Sequence, residues 1–203
     1  MQKKRIIVGL SGVAGSGKDT FFSLLSKERN FRRLALADEL KSSIRDELIN
    51  DYDIDILSCS REEKEVVRPR LIEFAKKMRF ESKGRHWINK VMPKILSSQD
   101  DICITDVRYD DYENDEIHWL KNEIGGILVH ISMYDEIQGS RVFKSAPNEE
   151  EARNDPKIKA KADFIVQWPR ISGDLKGSVV FEECLSRHVN RFTDWLDLHE
   201  GTK

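Results

Sequence analysis

The chain has 203 residues, enough for one well-cored domain, and 39% hydrophobic against 34% charged residues argues against a disordered or membrane-embedded chain. The formal net charge of −2 provides no global basic field to collect nucleic acid, so any anion site has to be local. Cys59, Cys103 and Cys184 show no paired spacing, which fits a reducing cytoplasm and neither a disulfide framework nor a zinc site. The start "MQKKRIIVGLSG" is basic, but its apolar run is short and broken by glycines, so no signal peptide is expected. No apolar run approaches the ~20 residues of a membrane span.

In chain order, "RIIVGL" (5–10) reads as a short buried strand, followed by a glycine loop and a helix from "DTFFSLLSKE". "FRRLALAD" (31–38) reads as a second strand leading into the helix "ELKSSIRDELI", and "NDYDIDILSCS" as a loop. In "RPRLIEFAKKMRF", Leu71, Phe74, Ala75 and Met78 share one helical face, with Pro69 suited to the first turn. "HWINKVMPKIL" predicts a helix kinked or broken at Pro93. "DICITD" (101–106) predicts a buried strand ending in an acid. "DEIHWLKNEI" then predicts a helix stopped by Gly125-Gly126, and "ILVHISM" (127–133) a fourth strand. Residues 134–162 are polar with little apolar pattern, and "ADFIVQW" (162–168) predicts a fifth strand. "VVFEECLSRHVNRFTDWL" predicts a closing helix with Phe181, Leu185, Val189, Phe192 and Leu196 along one side. This alternation implies a single α/β domain over 1–203: a five-stranded parallel sheet flanked by helices. Ligands in such sheets bind beyond the carboxyl ends of the strands.

Three groups lie at expected strand ends. "GVAGSGKD" fits the phosphate-loop pattern G-x-x-x-x-G-K between a strand and a helix, the context that supports it. Its glycines let successive N–H groups turn toward an anion, and the helix start adds its own. Lys18 is expected to reach the β- and γ-phosphates of a nucleoside triphosphate; Asp19 replaces the usual hydroxyl, and Thr20 follows one place later. In "ICITDVR", Asp106 stands where a Walker B carboxylate holds Mg²⁺ through water or orients an acceptor, and Arg108 can face the same cleft. Arg68 and Arg70, flanking Pro69 at the expected helix start, either grip phosphate or form a solvated basic turn. Lys41 either meets an acceptor phosphate or is a surface lysine; Trp87 either stacks on a base or fills the core. The 134–162 segment, with Arg141, Lys144 and Arg153, reads as a lid or as a long solvated loop.

Taken in order, these motifs resemble the bacteriophage-type deoxynucleoside monophosphate kinases over most of the chain. "LSGVAGSGKDT", "LALADELK", "RLIEFAKKM", "HWINKVM" and above all "ITDVRYDDYENDEIHWLKNEIGGILVHI" carry the likeness. The resemblance implies a P-loop kinase fold with ATP on Gly15, Ser16, Gly17, Lys18, Asp19 and Thr20. It implies an acceptor site from Lys41, Arg70, Trp87, Asp106 and Arg108, to which the basic turn adds Arg68, with about 50–97 as a helical acceptor-binding region. The family's acid after the arginine falls on Tyr112 here, and Glu113, one place later, takes the role in this reading. Lys76-Lys77 replaces a family Gly-Thr, and Ala14 and Gly15 stand where some members carry basic residues. The chain also resembles the animal-type phosphomevalonate kinases in S-G-x-x-x-S-G-K-D, in D-x-R and in "HWLK".

Both resemblances imply transfer of a phosphoryl group from ATP to a phosphate monoester. The expected reaction is ATP plus a deoxynucleoside monophosphate giving ADP and the diphosphate, with Lys18, Asp106 and Arg108 catalytic. Thr20 and Asp106 are the expected Mg²⁺ groups. The expected partners are these small molecules, with no stable nucleic-acid or membrane binding; a homodimer stays open. The expected compartment is the cytoplasm, that of the host if the chain is phage-encoded. A phosphomevalonate kinase-like transferase and a non-catalytic nucleotide-binding switch are the competing readings.

Overall fold

A computed structural model describes residues 5–171 and 179–200, with the side chains of 182–199 in the last helix. Five parallel strands form the sheet: β1 (Ile7–Ser11), β2 (Phe31–Leu34), β3 (Asp101–Ile104), β4 (Ile127–Ile137) and, last in the chain, β6 (Phe164–Pro169). β1 pairs with β3 on one side and β4 on the other, in register Gly9↔Ile104 and Ser11↔His130; β2 and β6 flank that trio. The parallel order is therefore β2-β3-β1-β4-β6. β4 outruns its neighbours, and its overhang pairs antiparallel with β5 (Ser140–Phe143), a sixth strand the sequence did not suggest.

Every residue of β1 is buried, as a strand covered on both faces requires. On one face Val8 and Leu10 pack with Phe21 and Leu25 of α1 (Lys18–Glu28) and with Val189, Phe192 and Leu196 of the C-terminal helix, Val179–Glu200. On the other, Ile7, Ile102, Ile104 and Leu128 pack against a helix over His86–Leu96 and against Trp119 and Leu120. A satellite core of Ile44, Leu48, Ile54, Ile56, Val67 and Leu71 joins α2 (Leu36–Tyr52) to α3 (Arg61–Glu81). Phe181, expected on the apolar side of the last helix, lies outside the described side chains.

Several boundaries differ from expectation. β2 stops at Leu34 and α2 begins at Leu36, so Asp38 is in a helical first turn and not at a strand end. α3 begins eight residues before Pro69, at a capping box in which Ser60 and Glu63 satisfy each other's backbone N–H groups. Pro69 is therefore internal, and Arg68 and Arg70 have no free helix-start N–H groups beside them. α4 (His86–Leu96) runs through Pro93 without breaking. "DEIHWLKNEI" forms α5 (Glu116–His118) and then a π-helical stretch, Trp119–Glu123. The segment expected as a lid or loop holds β5 and α6 (Glu149–Ala160), and α6 packs beside β1. Only Asn154 and Ile158 of α6 are buried, which is why its apolar period is faint. Among the described residues, no helix is long and apolar enough to cross a membrane.

Candidate functional site

The loop between β1 and α1 wraps around its own lysine. Lys18 Nζ donates to the carbonyls of Gly12 at 2.6 Å and Val13 at 3.1 Å, which places the ammonium at the mouth of the loop. Burial, then the nearby Arg108, lowers the Lys18 pKa to about 8, against the pull of Glu151, Asp19 and Asp106. Gly12 has φ 129°, and a Cβ there would lie 2.2 Å from the Ile131 carbonyl oxygen. Gly17, the residue before α1, has φ 95°, and a Cβ would meet the Trp168 ring at 2.4 Å. Both positions exclude any side chain. Trp168 Nε1 donates to the Ser16 carbonyl at 2.9 Å, so β6 braces the loop from behind. No side chain caps α1, leaving its first N–H groups to a ligand. The buried Ser16 hydroxyl has no hydrogen-bond partner among the described residues.

The loop opens onto a cleft of ≈ 570 Å³, within the range of small-molecule sites. Lys18, Arg108, Lys144 and Arg170 line it, with Met133 and Trp168 as apolar wall. Lys144 lies over the loop, its Cε 2.9 Å from where a Gly15 Cβ would be. Among the residues expected in a lid, Lys144 alone borders this cleft; Arg141 stacks 4.6 Å over Tyr134 and Arg153 pairs with Asp111.

Asp106 is correctly placed at the end of β3 but differently employed. Its two carboxylate oxygens accept the Leu36 and Ala37 N–H groups, each at 2.8 Å, and thereby cap α2 in place of Ala35. Burial pushes its pKa up, while those N–H bonds and Arg108 pull it down. Each oxygen thus carries one backbone N–H, and Asp106 stands behind the residues that line the cleft. Oxygen donors that suit Mg²⁺ lie instead in the first turn of α1, where Asp19 is exposed beside Thr20.

Other acceptor candidates are drawn away. Trp87 is 4% exposed and packs with Phe74 and His86 in the core, so it offers no face to a base. Arg70 pairs with Glu47 and Glu73, and Arg68 with Glu65. Lys41 pairs with Asp38 at 3.3 Å, and Glu113 is exposed on the loop after Arg108. Within the expected acceptor set only Arg108 lines the cleft.

Two groups of residues escaped the sequence reading. Arg79, 6% exposed, forks onto Asp115 at 2.9 and 3.1 Å, reaches Glu116 at 3.4 Å and stacks 3.6 Å over Tyr109. Glu116 in turn accepts the N–H groups of Arg108 at 2.6 Å and Tyr109 at 3.1 Å, and burial raises its pKa to about 8 against the pull of Arg79. This cluster fixes the backbone that carries Arg108. The second group is the inner face of α6. Asn154 accepts from the Asp110 N–H and donates to Asp111, and Asp155 meets the buried His130, which in turn touches Ser132. One turn earlier, Glu151 accepts the Ala14 N–H at 2.7 Å and lies 3.8 Å from Arg108. The spacing 151, 154, 155, 158 is a helical stripe, but its mostly polar residues leave no apolar period in the sequence.

No protein-family model matches the sequence, and no curated protein matches it. Solved structures with a similar fold include a dephospho-CoA kinase from Campylobacter jejuni, at 12% identity and a TM-score of 0.45, covering 91% of this chain and 100% of that one. A shikimate kinase from Bacteroides thetaiotaomicron is similar at 13% identity and a TM-score of 0.45, covering 95% and 98%. At these values the likeness carries no argument about activity.

Proposed function

We propose that the chain is an ATP-dependent phosphotransferase acting on a phosphate monoester, with a deoxynucleoside monophosphate as acceptor. The observation that supports it is the pairing of Lys18, held at the mouth of a glycine loop, with Arg108 across a small-molecule-sized cleft. The choice of a deoxynucleoside monophosphate among phosphate monoesters rests on the resemblance carried by "LALADELK", "RLIEFAKKM", "HWINKVM" and the long segment from "ITDVR" to "LVHI".

An anionic acceptor needs no strong base, so rate comes from alignment and charge neutralisation. Two unit charges ~4 Å apart repel by ~4 kcal/mol at an effective dielectric of ~20. Lys18, Arg108 and Lys144 offset that repulsion when donor and acceptor share the cleft. Lys18 and the loop N–H groups hold the donor phosphates, and Arg108, on its braced backbone, spans toward the acceptor. Asp19 and Thr20 are the chain's own groups that would stand beside a Mg²⁺ ion arriving with the triphosphate, which would supply neutralisation of phosphate charge.

The test is ADP release from MgATP against a panel of deoxynucleoside monophosphates, ribonucleoside monophosphates and phosphomevalonate, with Lys18→Ala as control. Release dependent on a deoxynucleoside monophosphate and lost in Lys18→Ala supports the reading. Release dependent on phosphomevalonate moves the acceptor to the second resembled family. ATP binding with no acceptor-dependent release makes the chain a nucleotide-binding switch.

A further inference from the structure

α3 and α6 begin with the same signature, a polar N-cap followed three residues later by Glu, yet their glutamates behave differently. In α3 the Glu63 carboxylate returns to the Ser60 N–H at 2.7 Å, closing the capping box. In α6 the Asn148 side chain accepts the Glu151 N–H at 2.9 Å, but the Glu151 carboxylate leaves its own helix. One oxygen takes the Ala14 N–H of the glycine loop; the other faces Arg108 at 3.8 Å and grazes the Asn148 amide at 3.4 Å. The Glu151 side chain is 17% exposed. An acidic side chain thus sits in a loop whose N–H groups and cations are arranged for an anion.

Its position along the loop is defined by Lys18. The ammonium rests on the carbonyls of Gly12 and Val13, next to Ala14, and a phosphate-loop lysine serves the β- and γ-phosphates. The Ala14 N–H therefore lies at the terminal-phosphate end. Glu151 holds the same two groups, a loop N–H and Arg108, that a terminal phosphate would seek there.

On the phosphotransferase reading, we propose that Glu151 is an internal stand-in for the terminal phosphate, which a triphosphate must displace to bind. Glu151 thereby sets the affinity for the donor and, through Arg108, ties donor arrival to release of the arginine toward the acceptor. A nucleotide without a third phosphate leaves the Glu151 contact largely intact, so the residue weighs on ATP more than on ADP. The rest of α6 stays anchored when the carboxylate leaves, because Asn154, the Asp155–His130 contact and buried Ile158 lie further along the helix.

The test is calorimetric titration of the full chain with MgATP and with MgADP, in wild type, Glu151→Gln and Glu151→Ala. Removing the competing charge is expected to tighten MgATP by at least tenfold and MgADP by less. Equal or weaker MgATP binding in the variants overturns the proposal, since a purely structural glutamate gives no gain in affinity. Binding absent from every form, wild type included, removes this inference and the phosphate-loop reading together. Amide hydrogen exchange on the wild-type chain gives a check that needs no variant. MgATP is expected to speed exchange in the first turn of α6 while protecting residues 14–20. Unchanged or slower exchange in that turn counts against displacement.

Discussion

Lys18 carries the sharpest consequence at the scale of one residue. In the folded chain its pKa falls from 10.5 to about 8, because burial and then Arg108 disfavour the ammonium. The unfolded chain therefore binds more protons between about 8 and 10.5, and Lys18 makes the empty protein more stable as pH rises through that window. Phosphate oxygens reverse the balance by favouring the ammonium. ATP binding at pH 9 is expected to take up close to one proton, and almost none from Lys18 at pH 6.5. Calorimetry in buffers of different ionisation heat measures it; uptake that persists in Lys18→Ala assigns the proton elsewhere. Asp106 yields a second prediction, of stability. Asparagine offers one acceptor and one donor to the N–H groups of Leu36 and Ala37, so one of those bonds is lost to an opposed N–H. Asp106→Asn is expected to cost about 1–3 kcal/mol of folding free energy. A denaturant midpoint equal to wild type would show that α2 does not depend on this cap.

Among the elements, the segment after β3 is held by Arg79 from α3, a helix whose start the sequence announced and then obscured. "SREE" at 60–63 is a capping box, but Pro69 also suits a first turn, and that placement sets Arg68 and Arg70 at a helix start, open to phosphate or to solvent. With the helix begun at Arg61, both arginines are mid-helix and paired along or across the surface. Further on, Arg79 is buried against the loop that carries Arg108. Arg79→Ala leaves Asp115, fully buried, and Glu116, 3% exposed, without their cation. Breaking such a group is expected to cost about 3–5 kcal/mol, read by urea denaturation. Arg79→Lys is expected to recover only part of this, since an ammonium neither forks onto Asp115 nor stacks as a plane on Tyr109. Full recovery by lysine would mean that charge alone holds the loop.

Over the whole molecule, the features readable from the sequence were those whose causes lie close in the chain. The β1-loop-α1 unit spans 7–28 and its glycines, lysine and apolar flanks are contiguous, so the strand, the glycine turn and the helix followed from local pattern. Asp106 caps a helix 70 residues away and Glu151 reaches a loop 137 residues away, and no local period encodes either contact. Trp87 at helical spacing suits the core more often than a base, and the packing of Phe74 and His86 around it places it in the core. Two long-range contacts do reach the cleft: Glu151 of α6 meets the glycine loop and Arg108, and Trp168 of β6 meets the Ser16 carbonyl. A ligand bound there therefore stabilises the fold globally, as any ligand of the folded state alone does. At one hundred times its dissociation constant, MgATP is expected to add about 2.7 kcal/mol. For a chain of this size each kcal/mol raises Tm by about 2–4 °C, so the shift is about 5–10 °C. Lys18→Ala is expected to melt at or above the wild-type temperature without ligand at neutral pH, since burial and Arg108 disfavour its ammonium in the empty site, and to lose the shift. A thermal melt of both proteins, with and without saturating MgATP, reads all of this at once. No shift in wild type at saturation would remove the donor site from the cleft, and an undiminished shift in Lys18→Ala would move the nucleotide away from the glycine loop.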